Sequence, residues 1–158
     1  MARNDSTAAT PGANRLLVSD LAQDLSFLVA RLRSQGSAAA NTRLAPLGLK
    51  VRSYSVLSLA CGDPAPTQRE LAEFLWLDPS QIVALVDGLE GGGLVHRETD
   101  PSDRRSKLVV GTPRGRELCA RARAAASAAE DDSLRALGAA ERATLRALLA
   151  RAAFGPED

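Results

Sequence analysis

Apolar residues recur at helical spacing in two neighbouring segments near the middle of the chain. The first set is Leu71, Phe74 and Leu75, and the second is Ile82, Leu85, Val86 and Leu89. Spacings of i, i+3, i+4 and i+7 place each set on one face of a helix. We therefore predict two short amphipathic helices that share an apolar seam. Little more than Leu77 separates them, which is typical of a helix-turn-helix.

Both predicted helices begin with a capping signal. Thr67 precedes Glu70 by three residues, and Asp78 precedes Gln81 by the same spacing. Each pair can satisfy backbone amides reciprocally, as in a capping box. Pro79 follows Asp78 at the first helical position, where a missing amide donor carries no cost.

Glycines and then β-branched residues follow the second helix. The glycines at 91–93 can end it, because glycine adopts the left-handed conformation of a C-terminal cap. A phosphate-binding glycine loop is the alternative, but no strand precedes these residues and no Gly-Lys-Ser/Thr follows them. Segments 94–98 and 107–112 then predict a hairpin, whose tip presents Arg104 and Arg105.

Longer helices are predicted on both sides of this unit. Leucines from 17 to 32 form the stripe of a first helix, which segment 35–37 is expected to end. A second helix is predicted over 49–60. Two more follow the hairpin, one opened by Thr112 and a proline, and one over 140–153.

The last two helices differ in their apolar faces. The helix after the hairpin offers mostly alanines, so it buries little area alone but lets another helix approach closely. In the final helix we expect Leu145, Leu148 and Leu149 to be buried. Periodicity does not distinguish burial within one chain from burial between two chains.

Composition limits the function classes. The 158 residues fit one domain, and 20 Lys and Arg against 19 Asp and Glu give a net charge of +1, so any DNA-binding surface must be local. Basic residues outnumber acidic ones in segments 41–60 and 97–116. Residues 1–13 have the composition of a disordered tail. The absence of a signal peptide and of a long apolar run favours a cytoplasmic protein.

Few side chains suit metal or catalytic chemistry. Cys61 and Cys119 lie outside any metal or redox spacing, and His96 is the only histidine. We therefore predict no metal site and no cofactor. Free buried thiols are the favoured interpretation, and a disulfide stays open. Without a recognisable nucleophile–base pair, an enzyme is not expected.

Several short motifs match one known pattern. They are Asp103-Arg104-Arg105, Thr112-Pro113-Arg114-Gly115, Leu71-Ala72, Leu85-Val86-Asp87, Leu89-Glu90 and Gly93-Leu94-Val95. Together they resemble the winged helix-turn-helix of the MarR family of transcription regulators, and the resemblance extends more loosely over 16–153. The chain departs from the Thr, Arg or Lys of many family members at Val83, Ala84 and Gly88.

The resemblance implies a mainly α fold with a small β-wing. In it, a winged helix-turn-helix DNA-binding domain (41–112) is flanked by an N-terminal dimerisation helix (14–40) and by C-terminal dimerisation helices (113–158). It implies a homodimer that binds double-stranded DNA at a palindromic operator, as a sequence-specific transcription regulator acting as a repressor. A two-fold dimer matches paired half-sites.

The second helix of the helix-turn-helix is expected to enter a major groove. Ser80 and the helix N-terminus then lie near phosphate, and Gln81 can pair with adenine. Val83 and Ala84 can contact thymine methyl groups. Capping of the helix alone is the alternative role for Ser80 and Gln81.

The resemblance also implies roles for the hairpin tip. Arg105 enters a minor groove and Asp103 orients it, while Arg104 contacts phosphate. Further candidates for backbone contact are Arg52, Gln68 and Lys107. A solvated turn, in which the arginines pair with Asp100 and Asp103, is the alternative.

Regulation is implied by the resemblance alone. Family members bind small aromatic acids in a crevice between the dimer base and the winged domain, and the candidate residues here are Arg31, Arg52 and Tyr54. Tyr54 also fits an ordinary core position. The alternative function is a winged-helix module that binds an acidic protein partner through its arginine tip.

Overall fold

The computed structural model describes residues 15–155, so the predicted tail over 1–13 lies outside the described residues. The elements are α1 (Leu25–Leu44), α2 (Val51–Ala60), α3 (Gln68–Leu75), α4 (Pro79–Gly91), β1 (Val95–Thr99), β2 (Lys107–Gly111), α5 (Pro113–Ser133) and α6 (Ala139–Phe154). Short 3-10 turns cover Asp20–Gln23 and Ala45–Leu47. The predicted mainly α fold with a small β-wing is confirmed.

Backbone contacts divide the chain into two units after Gln35. In the first unit the predicted helix begins later than expected, at Leu25, where the Asp24 carboxylate accepts a hydrogen bond of 2.8 Å from the amide of Phe27. The predicted end at 35–37 is wrong, because α1 continues through Gly36. One glycine costs a helix about 1 kcal/mol, and the packing of Leu44 against the core offsets this.

The core of the second unit lies where α2, α3, α4 and the hairpin meet. Its fully buried large side chains are Leu44, Leu57, Leu71, Ile82, Val56, Val86, Val95 and Val109. Burying one such side chain contributes about 1.5–3 kcal/mol. The seam predicted between the two helices is therefore present. Phe74 is an exception, since it is 57% exposed and stacks on Phe154 with ring centroids 5.8 Å apart.

The two capping signals have different outcomes. At α3 the amide of Glu70 donates to Thr67 Oγ1 (3.2 Å) and the amide of Thr67 donates to Glu70 Oε2 (2.6 Å), which confirms the capping box. At α4 the Asp78 carboxylate accepts from the amide of Ser80 at 2.8 Å. The expected reciprocal pair with Gln81 is wrong, because the short Asp78 side chain is satisfied one residue earlier.

The hairpin is antiparallel, with Val95 opposite Gly111 and Thr99 opposite Lys107. Its second strand joins α5 through Thr112, whose Oγ1 accepts from the Gly115 amide (2.9 Å) and donates to the Gly93 carbonyl (2.8 Å). The predicted cap is therefore confirmed. Gly115 is required by close approach, since a Cβ there would lie 1.9 Å from the Leu94 carbonyl oxygen.

The C-terminal helix keeps its apolar face open within one chain. Leu148 and Leu149 are 50% and 40% exposed, and α6 has no fully buried residue, so their predicted burial is wrong for the single chain. Helix α6 is tied to α5 by exposed ion pairs instead, including Arg142 to Asp131 at 2.7 Å. Among the described residues, no helix is both long enough and apolar enough to cross a membrane.

The junction between the hairpin and α5 makes a testable prediction with a matched control. We expect Gly115→Ala to lower the free energy of unfolding by about 1–3 kcal/mol or more, because backbone must move to admit the new Cβ. The control Gly88→Ala has no heavy atom within 4 Å of its Cβ. It should raise stability by roughly 0.5–1 kcal/mol, since alanine suits a helix better. Urea denaturation measures both, and equal effects would contradict this packing.

The α3 capping box predicts a pH dependence. Hydrogen bonds from the Thr67 amide and hydroxyl lower the pKa of Glu70 below its ordinary 4.5. A carboxylate with a depressed pKa stabilises the fold above its unfolded pKa, and this stabilisation is lost as pH falls through the folded pKa.

Glu70→Gln keeps the box without a titrating group. The difference in Tm between the native chain and Glu70→Gln should therefore shrink between neutral pH and about pH 3. A difference that stays constant across this range would show that the charge of Glu70 has no part in the cap.

Candidate DNA-binding interface

One face of α4 is open to solvent while the opposite face is buried. Ile82, Val86 and Leu89 point into the core. The open face carries the exposed residues Ser80, Gln81, Val83, Ala84 and Asp87. The Gln81 side chain makes no hydrogen bond within the described residues, so it can act as donor and acceptor toward a ligand.

The cap also sets the charge at the start of α4. Hydrogen bonds from the hydroxyl and the amide of Ser80 lower the pKa of Asp78, so this carboxylate stays ionised well below neutral pH. The Ser80 hydroxyl is occupied as a donor to Asp78. Its oxygen still offers lone pairs, and the proposed contact of Ser80 with phosphate would need this hydroxyl to rotate.

Arg97 on β1 joins three elements. Its guanidinium donates to Asp87 Oδ1 at 2.6 Å, pairs with Glu90, and donates through Nε to Gln68 Oε1 at 2.8 Å. Its own amide donates to Glu90 Oε1 at 2.9 Å. Partial burial works against the charged form, but Asp87 and Glu90 outweigh it and raise the pKa of Arg97. We call these four residues the Arg97 cluster.

The sequence interpretation missed the Arg97 cluster. The signal was present, since Asp87 and Glu90 lie one helical turn apart and a basic residue follows in the next strand. The cluster also gives Gln68 a second role, because its carbonyl oxygen accepts from Arg97 while its amide nitrogen remains available. Lys107 is also engaged, since its Nζ donates to Thr99 Oγ1 at 2.7 Å.

The wing tip is organised through its backbone. The Asp103 carboxylate accepts from the amide of Arg105 (3.0 Å) and from the hydroxyl of Ser106 (2.9 Å). Asp103 therefore fixes the main chain that carries Arg105. Arg104 and Arg105 are exposed and form no ion pair with another residue of the range 15–155.

The base of the wing is fixed to the start of α3. The Val109 amide donates to the Pro66 carbonyl at 2.8 Å, and Leu108 forms an isolated bridge with Thr67. The segment that leads to α3 thus pairs locally with β2 through one isolated bridge and one hydrogen bond. These bonds hold the wing and the helix-turn-helix in one relative orientation.

A cleft of about 620 Å³ opens between the α2–α3 loop and the wing. Its apolar wall contains Leu59, Leu71, Phe74 and Leu108, and its acidic rim contains Asp63, Glu70, Glu98 and Asp100. Hydrogen bonds from Ser102 lower the pKa of Asp100, so that carboxylate is ionised at neutral pH. Among residues 15–155, no basic side chain lines the cleft, which is therefore unsuited to a carboxylic acid.

The remaining candidate residues differ in their exposure. Arg31 and Arg52 are exposed, whereas Tyr54 is half-buried and packs against the core. Cys61 and Cys119 are free thiols, and burial together with the neighbouring Cys119 raises the pKa of Cys61 to about 11. Within 15–155 no three His, Cys, Asp or Glu side chains converge as metal ligands.

Solved structures similar to this chain include DNA-bound and ligand-bound proteins. A MarR-family transcriptional regulator from Rhodococcus sp. RHA1 is 42% identical, with a TM-score of 0.82 over 89% of this chain and 100% of that chain. CouR from Rhodococcus jostii RHA1, bound to p-coumaroyl-CoA, is 42% identical, with a TM-score of 0.79 over 89% and 99%. A transcriptional repressor, CouR, bound to a 23-mer DNA duplex is 33% identical, with a TM-score of 0.77 over 85% and 96%.

Relatives with similar sequences are also named as transcription regulators. The HTH-type transcriptional repressor Rv2887 of Mycobacterium tuberculosis is 32% identical over 118 residues, 75% of this chain and 82% of that protein. Its complex with salicylic acid has a TM-score of 0.69 at 28% identity, over 81% and 95%. A protein named as a transcriptional regulator for the hcr operon of Thauera aromatica is 38% identical over 98 residues, 62% of this chain but 59% of that protein.

The MarR family model matches residues 49–107, which run from the start of α2 to the first residue of β2. This range contains the Thr67 and Asp78 caps, the open face of α4 and the arginine tip of the wing. Together with relatives that align over most of their own length, it shows that the chain belongs to the MarR family of winged helix-turn-helix transcription regulators.

Proposed function

We propose that a dimer of this chain binds a palindromic operator as a sequence-specific repressor and releases it when an aromatic acid, or the coenzyme A thioester of one, binds. The observation that carries the proposal is the pairing of an open α4 face with an unpaired arginine tip, both fixed to one core. A similar repressor is bound to a DNA duplex.

Base recognition is assigned to the N-terminal half of α4. The free amide of Gln81 suits the paired acceptor and donor of adenine, and Val83, 41% exposed, suits a thymine methyl group. Asp87 lies on the same face and would repel phosphate, but its pairing with Arg97 offsets that charge. With so few polar side chains on α4, DNA shape contributes much of the specificity.

The wing supplies the complementary contact. Arg105 is assigned to the minor groove and Arg104 to phosphate, because both side chains are exposed and the turn that carries them is fixed by Asp103. Arg52, Gln68 and Lys107 are assigned to the DNA backbone. Arginine binds a narrow minor groove because the negative potential is strongest there.

Dimerisation is supported by apolar side chains left open in the single chain. In the first unit Leu17, Leu21, Leu25 and Leu28 are between 45% and 75% exposed. On α6, Leu148 and Leu149 are also exposed. A second copy can cover these faces, and two-fold symmetry would then place two α4 helices about 34–36 Å apart, one turn of DNA.

The relatives support the proposed effector class, since one is bound to salicylic acid and another to p-coumaroyl-CoA. Arg31, Arg52 and Tyr54 are the proposed contacts. The acidic cleft beside the wing is unsuited to such anions, so the effector site lies elsewhere. An effector shifts DNA affinity only by its different affinities for the two dimer conformations.

Binding of an acidic protein partner is the second candidate, and the unpaired Arg104 and Arg105 favour it. A footprint on DNA separates the two functions. Protection of two half-sites with two-fold symmetry fits operator binding alone.

The wing assignment predicts the effect of Arg105→Ala. We expect operator affinity to fall about tenfold or more, on the scale of one lost arginine contact. The slope of log affinity against log salt should become shallower by about one unit. Arg135→Ala is the control, because Arg135 is also exposed but lies between α5 and α6.

Fluorescence anisotropy on labelled operator measures both variants, and sedimentation checks that each remains a dimer. Equal affinity of Arg105→Ala and the native chain at moderate salt would remove the wing from the interface.

The effector assignment predicts release of the protein from DNA. Salicylate, p-coumarate and p-coumaroyl-CoA are titrated into the preformed operator complex, and at least one should lower operator affinity. Arg31→Ala should raise the concentration needed for release, because it removes a cation that is assigned to the anion and not to DNA. If none of the three releases the DNA, the chain binds its operator independently of this class of compound.

A further inference from the structure

Trp76 occupies the turn between α3 and α4 and is almost fully exposed. It is the only tryptophan of the chain, and 94% of its surface is accessible. Its backbone is left-handed, with φ 53° and ψ 46°, at the C-terminal cap of α3. Glycine is the usual residue at such a cap. Neither burial nor backbone preference therefore accounts for tryptophan at this position.

The position of Trp76 is close to the proposed DNA contacts. Ser80 lies four positions further along the chain, so the two Cα atoms are at most about 15 Å apart. The major groove is about 12 Å wide. With the N-terminus of α4 in that groove, a side chain within this distance can reach the wall of the groove.

We propose that Trp76 packs against the sugar–phosphate backbone at the edge of the groove entered by α4. This inference rests on the proposed function. The indole presents an apolar face to a deoxyribose ring, and its Nε1–H donates to a phosphate oxygen. Because the indole is neutral, the contact displaces no counterion and is independent of base sequence.

This chemistry distinguishes Trp76 from the wing arginines. Removal of an arginine changes both the affinity and its salt dependence, whereas removal of the indole should change the affinity alone. Loss of one hydrogen bond to a charged group corresponds to roughly a tenfold change in affinity. Specific and nonspecific DNA should lose affinity by the same factor.

Intrinsic fluorescence reports on Trp76 directly, because no other tryptophan contributes. On addition of operator DNA to the native chain, we expect the emission to shift to shorter wavelength and quenching by acrylamide to decrease. Unchanged emission and quenching in a complex verified by anisotropy would overturn the inference and leave the proposed function intact.

The variant Trp76→Gly tests the energetic contribution. Glycine suits the left-handed cap, so the variant should melt at the same temperature as the native chain or higher. Its affinity for operator and for nonspecific DNA should nevertheless fall about tenfold, with the same salt slope. Phe74→Ala is the control, because it removes another exposed aromatic ring from α3 and should leave DNA affinity unchanged.

The remaining outcomes of these experiments would each overturn the inference about Trp76. Native affinity in Trp76→Gly overturns the inference, as does a loss confined to the operator or accompanied by a shallower salt slope. A changed dimer equilibrium with unchanged DNA affinity would assign Trp76 to contact between chains and also overturn it. Failure of the native chain to bind any DNA would instead refute the proposed function, and the inference with it.

Discussion

The ion-paired contact of Arg97 with Asp87 and Glu90 is the constraint on which the geometry of the DNA-binding unit depends. It joins β1 to the solvent-facing side of α4, and Gln68 extends it to α3. The hydrophobic contacts of the core hold these elements together but are not directional. Hydrogen bonds from a planar guanidinium are directional, so they fix both the distance and the angle between the elements.

Two further hydrogen bonds complete this rigid arrangement. Val109 bonds to Pro66 ahead of α3, and Thr112 bonds to Gly93 behind α4. The wing is thereby held at both ends of the helix-turn-helix. An interface preorganised in this way loses less conformational entropy on binding than one that must order flexible loops. The arginine tip is the exposed part of the wing. Even there, the Asp103 carboxylate fixes the backbone by accepting a hydrogen bond from the amide of Arg105.

Local sequence signals predicted the helices and strands more successfully than the contacts between them. The caps at Thr67 and Thr112 depend on residues three apart, so the sequence contains all the necessary information. Gly36 shows the limit of such signals, because packing of Leu44 overrides a local helix stop. Periodicity identified the apolar faces of α6 but not what covers them.

Contacts between distant segments were least accessible from sequence. Gln68 and Arg97 are 29 positions apart, and nothing local indicates that they meet. The candidate DNA contacts on α4 and the wing came from exposed patterns and from family resemblance, and the structure adds which of their polar atoms are already engaged. The unusual cap at Trp76 depends on a positive backbone φ, which no pattern of apolar residues indicates.

The acidic cleft between the α2–α3 loop and the wing has an electrostatic consequence. Its rim carries the carboxylates of Asp63, Glu70, Glu98 and Asp100, while Arg104 and Arg105 are exposed at the tip of the wing. With a formal net charge of only +1, the chain gains little long-range attraction to a polyanion. Charges of opposite sign at different places on the wing form a local dipole instead, which experiences a torque in the electric field of a polyanion. A duplex is therefore attracted at the arginine tip and repelled at the acidic rim of the cleft.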